Sequence, residues 1–90
     1  MKIARRVRFY GQVQGVNFRR NVASLANKSG VCGWVKNLED GSVEAHMEGE
    51  ENLVQRLIQM CCTELFPARV ERYHSDSDEI ENLEDFRIIM

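Results

Sequence analysis

The chain has 90 residues, 43% of them hydrophobic, and a formal net charge of -2. That suffices for one core, burying about 60 to 65% of the surface the unfolded form exposes, so a single domain over residues 1–90 is expected. It has no apolar run long enough for a membrane-spanning helix and no charged-then-apolar leader at Met1, so a cytoplasmic protein with no membrane partner is expected.

Lys2 to Val13 alternates, with Ile3, Val7, Phe9 and Val13 on one face and Arg6, Arg8, Tyr10 and Gln12 on the other. This predicts a first strand with one face to a core and one to water, although Arg5 interrupts the pattern. Phe18, Val22, Leu25 and Ala26 then recur at helical spacing, predicting a helix from about Arg20 to Ser29 that Gly30 ends. Val31 to Leu38 and Ser42 to Glu48 read as the next two strands, with Asp40-Gly41 as their hairpin signal. Glu50 to Leu65 carries Leu53, Val54, Leu57, Ile58, Cys61 and Leu65 as a helical stripe, and Pro67 marks its end. Ala68 to His74 and Asp85 to Ile89 predict two last strands, with the acidic Ser75 to Leu83 between them as an exposed loop. The β-α-β-β-α-β order, with one apolar stripe per helix, predicts an α+β fold: a ferredoxin-like βαββαβ sandwich, two helices on one face of an antiparallel sheet.

Charge is unevenly placed along these elements. Eight basic residues and no acidic one precede Glu39, and all fourteen acids follow from there. A positive amino-terminal half suits small anionic substrates, and equally a nucleic-acid footprint. Cys32, Cys61 and Cys62 are odd in number and lack metal-ligand spacing, so reduced, mostly buried thiols are expected.

Gln14-Gly15-Val16-Asn17-Phe18-Arg19 joins the first strand to the first helix. A tight turn into a helix start gathers unpaired backbone N–H groups at the positive end of the helix dipole, a ready anion site best suited to phosphate. Arg19 adds a permanent charge and a forked donor set. Taken alone it could still be a surface arginine in a first helical turn.

The run GQVQGVNFR closely resembles the GxVQGVxFR signature of the acylphosphatases, small metal-free hydrolases of carboxyl-phosphate mixed anhydrides. Gly33-Trp34-Val35-Lys36-Asn37-Leu38-Glu39-Asp40-Gly41-Ser42-Val43 resembles that family's second signature, GWVxNxxDGxV. The resemblance implies hydrolysis of acyl phosphates without a cofactor or a metal. It further implies that Arg19 and the loop residues Gln14, Gly15, Val16, Asn17 and Phe18 hold the phosphate while Asn37 orients the attacking water. The implied partners are an acyl phosphate substrate and inorganic phosphate as product and inhibitor, with no nucleic acid, and the protein acts as a monomer. After Arg19 the family often reads FRxYT, where this chain has Phe18-Arg19-Arg20-Asn21-Val22; its Gly-Pro step is replaced by Leu65-Phe66-Pro67-Ala68. ARVERY and Asp85-Phe86-Arg87-Ile88 are closest to the bacterial branch of the family.

Two other readings compete. One is a non-catalytic anion-sensing domain, or a relative of the carbamoyl-phosphate-handling domain of hydrogenase maturation factors. The other is a nucleic-acid-binding module of the same sheet plan, which needs aromatics on its third strand; Ser-Val-Glu-Ala-His-Met-Glu has none. His46 and His74 read as ordinary structural histidines, Trp34 as packing, and Ser75-Asp76-Ser77-Asp78 lacks the glycine of a calcium loop.

Overall fold

In the computed structural model, which describes residues 1–89, the chain runs β1 (Lys2–Gln12), α1 (Phe18–Ser29), β2 (Cys32–Asn37), β3 (Val43–Glu50), α2 (Glu51–Thr63), β4 (Arg69–Ser77) and β5 (Phe86–Ile88). The sheet order is β4-β1-β3-β2-β5. The pairs β1–β3, β1–β4 and β2–β3 are antiparallel, as expected of a ferredoxin-like α+β fold. The short β5 adds a parallel edge on β2, with Val35 opposite Ile88, so the five-stranded sheet is mixed rather than wholly antiparallel. This pairing has a consequence for the site. Because β1, β2 and β5 run the same way, their carboxyl ends, with the Gln14–Arg19 loop, Asn37 and Ile88, meet at one end of the sheet.

One face of the sheet carries the core. Val7, Phe9, Val35, Val43, Ala45 and Met47 are fully buried beneath Phe18, Val22 and Ala26 of α1 and Val54, Leu57 and Cys61 of α2. Each Val, Leu, Phe or Met among them contributes about 1.5–3 kcal/mol by leaving water. Phe9 and Phe18 meet edge to face at 5.4 Å and 73°, which fixes the start of α1 over β1. α1 lies over β2 and β5, and α2 over β1, β3 and β4. Burial pushes the Cys61 and Cys62 thiols up, so they stay protonated and unreactive.

α1 starts at Phe18, two residues before the expected Arg20. Asn17 takes left-handed φ 61° and turns the chain into the helix at once, so Arg19 and Arg20 both fall in the first turn. At the other end Gly30 closes α1 at φ 76°, its N–H donating to Ala26 O. Gly33 is required for space: a Cβ there would lie 1.7 Å from the carbonyl oxygen of His46 on β3.

Of the stretch expected as an exposed loop, Ser75 to Leu83, the first three residues belong to β4, and the rest is a largely exposed segment without regular structure. β4 continues to Ser77, helped by Arg5, whose Nε donates to Ser75 Oγ at 2.9 Å and thereby explains the broken alternation of β1. Since β4 and β5 are opposite edges, residues 78–85 must then cross the face that the helices leave open. They cover His46 and Glu48, which are 0% and 1% exposed. The His46 ring stacks on Trp34 at 5.8 Å, with Nδ1 2.8 Å from Asp78 Oδ2 and Nε2 2.8 Å from Glu48 Oε1. The ring satisfies both carboxylates when each nitrogen carries a proton. Glu48 also accepts from the N–H groups of Glu81 and Leu83, and Asp78 from Arg6 Nε at 2.7 Å. His46 is therefore structural, as expected, but it is the buried centre of a charged clasp.

Candidate active site

The loop after β1 bends at Gly15, φ 76°, and again at Asn17, φ 61°. No neighbour lies within 4 Å of where a Gly15 Cβ would be, so glycine serves the positive φ there and not a close approach. Left-handed residues alternating with others turn successive N–H groups toward one concave side, a nest suited to an anion. α1 begins with no side-chain cap and no acid in its first turn, leaving its orphan N–H groups and dipole open to a ligand.

A cleft of about 280 Å³ opens at this point. Gln14, Gly15 and Asn17 line it from the loop, Phe18, Arg19 and Arg20 from the helix start, and Val13 and Ile88 form its apolar walls. Arg19 is half-buried and Arg20 exposed. Among the described residues neither has a carboxylate within 4.0 Å, whereas Arg6 pairs with Asp78, Arg8 with Glu44 and Arg87 with Asp85. Two guanidinium groups at a helix start, with no acid in the wall, suit the cleft to an anion.

Five of the expected loop residues thus come together, with differences in what their side chains do. The Phe18 ring is in the core, 1% exposed, and Val16 packs partly buried against the core instead of lining the cleft. Gln14 turns its amide away from the anion position: Nε2 donates to Leu38 O and to Ser42 O, both at 2.9 Å.

Asn37 ends β2 opposite Val43, two residues beyond Val35 and on the same face. Val35 pairs with Ile88, which walls the cleft, so Asn37 stands at the cleft's end of the sheet without forming its wall. The turn beyond it is held by Leu38 N–H to Ser42 O at 2.9 Å and by Asp40 Oδ1, which accepts from the backbone and hydroxyl of Ser42. Those two bonds hold the Asp40 carboxyl below its usual range. Asn37 Oδ1 is buried and has no hydrogen-bond partner, the one such side-chain atom among the described residues. A buried acceptor without a donor costs about 1–3 kcal/mol, which a bound water or ligand would relieve.

Sequence reasoning missed the places of Arg20 and Ile88 in the cleft. The first depends on the early start of α1. The second depends on the parallel β5 pairing, which no local pattern announces.

A family model for acylphosphatase matches residues 5–88. The chain is 47% identical over 88 residues to an acylphosphatase of Thermoplasma volcanium, covering 98% of each. It superposes on the crystal structure of acylphosphatase from Bacillus subtilis with TM-score 0.93 at 33% identity, over all of both chains. It is also similar, at TM-score 0.88 and 25% identity, to 12% of a full-length HypF solved in the phosphate- and nucleotide-bound form. With the family model matching nearly the whole chain and a relative 47% identical over 98% of it, the chain belongs to the acylphosphatase family.

Proposed function

We propose that the chain, as one domain, hydrolyses small acyl phosphates by water attack at phosphorus, giving a carboxylate and inorganic phosphate. The carboxylate is already a good leaving group, so no covalent intermediate or metal is needed to make it leave. What remains is to hold the phosphoryl group, offset its charge and place a water in line. Arg19 and the N–H groups from Gly15 to Arg19 do the first two. Asn37 does the third: with its amide turned so that Oδ1 faces the cleft, it accepts from the water and aims a lone pair at phosphorus, and because an amide is not a base the proton leaves to solvent or to the phosphate.

The observation that carries this reading is the Asn37 amide, its Oδ1 without a protein partner, at the end of the sheet where the arginine-lined cleft opens. A site that only sensed anions would have no use for a buried acceptor without a donor. All of these groups come from one chain, so the reaction requires no second copy. Among the described residues no helix is long and apolar enough to cross a membrane. The test is hydrolysis of benzoyl phosphate in ¹⁸O-labelled water with EDTA present. The expected result is rapid turnover, one labelled atom in each phosphate and none in the benzoate, and competitive inhibition by inorganic phosphate. Label in the benzoate would mean attack at the carbonyl carbon, and no turnover by folded protein would return the anion-sensing reading.

A further inference from the structure

Arg20 lies at the position just after the signature arginine, and the helix geometry gives it a separate task. Consecutive helical residues leave the axis about 100° apart and do not face one another, so the helix start directs Arg19 and Arg20 to different parts of the cleft. Both line the cleft, Arg19 half-buried and Arg20 exposed. No carboxylate lies within 4.0 Å of Arg20 among the described residues, and the first turn of α1 holds no acid. The same cleft is walled by Ile88, an apolar side chain 46% exposed at the end of β5. Beside the proposed phosphate cradle the cleft therefore presents an apolar side chain and a second guanidinium with no carboxylate partner among the described residues.

We infer that Arg20 is a specificity-determining residue that favours acyl phosphates whose acyl group ends in a second anion, a carboxylate above all, over those with neutral acyl groups. This rests on the acylphosphatase reading and names the substrate class of that site. Ile88 covers the apolar spacer, and the Arg20 fork takes the terminal carboxylate two oxygens at a time. The contact is made alike in ground and transition states, so it acts on KM more than on kcat. Being solvent-exposed, it weakens as salt is raised.

The test compares kcat/KM for 4-carboxybenzoyl phosphate with that for 4-methylbenzoyl phosphate, in the wild type, Arg20→Met and Arg20→Glu, at low and high salt. Both compounds are rigid, so the carboxylate cannot attack its own acyl group. The expected ratio is about two- to fivefold in favour of the carboxylated substrate at low salt. It should fall to about one in Arg20→Met and at high salt, and below one in Arg20→Glu. A wild-type ratio of one, or a preference that survives Arg20→Met, would overturn the inference while leaving the acylphosphatase reading intact. Failure of folded wild type to turn over either compound would overturn the reading beneath it, and the inference with it.

Discussion

Gln14 Nε2 donates to Leu38 O at 2.9 Å, across a sequence separation of 24 residues, and so ties the phosphate loop to the residue that follows Asn37. A second bond from the same nitrogen reaches Ser42 O on the other side of the turn. One amide therefore sets the spacing between the group proposed to hold the phosphate and the group proposed to aim the water. Its role is positioning.

Replacing Gln14→Ala should lower kcat about tenfold and leave the affinity for inorganic phosphate within a factor of about two. The loss of two hydrogen bonds should also cost about 1–2 kcal/mol of stability. Kinetics beside a phosphate titration checks this. If phosphate affinity fell as far as kcat, Gln14 would be a direct phosphate ligand and the tie incidental.

The clasp on the open face should make the fold acid-sensitive. Burial pushes the Glu48 carboxyl up, but hydrogen bonds from His46 and from the N–H groups of Glu81 and Leu83 outweigh it and hold Glu48 below its ordinary 4.5. Asp78 likewise lies below its ordinary 3.8: burial raises it, and His46, the Glu79 N–H and Arg6 together lower it further. A depressed carboxyl stabilises the fold fully above its unfolded value and loses that contribution as pH falls through the folded value. The urea midpoint should thus hold steady down to about pH 4.5 and drop below it. Glu48→Gln should cost about 3 kcal/mol at neutral pH and flatten the acid drop. An unchanged acid profile in Glu48→Gln would show that the clasp does not carry the effect.

The parts of this fold that repeat locally were legible in the sequence. The apolar stripes of α1 and α2, the alternation of β1 and the Asp40-Gly41 hairpin each depend on residues a few positions apart. What was not legible depends on pairings between distant residues. Asp78 and Glu81 read as part of a solvated run because their partners, Arg6 and His46, lie more than 30 residues away. Part of the clasp could have been seen: His46 and Glu48 share one face by the period of two in a strand. Asn37 was readable only through its motif, since a lone asparagine near a hairpin is more often a turn residue, and its unpaired Oδ1 is a property of packing.

Arg19 is proposed to hold the phosphate and Asn37 to place the water, and one paired measurement separates the two roles: kcat for benzoyl phosphate and Kd for inorganic phosphate in Arg19→Gln and Asn37→Ala. Arg19→Gln should lose both turnover and most phosphate affinity while remaining folded. Asn37→Ala should bind phosphate within about threefold of wild type and lose about 100-fold or more of kcat. An Asn37→Ala protein whose phosphate affinity fell in step with its turnover, or an Arg19→Gln protein of near-normal activity, would contradict the account.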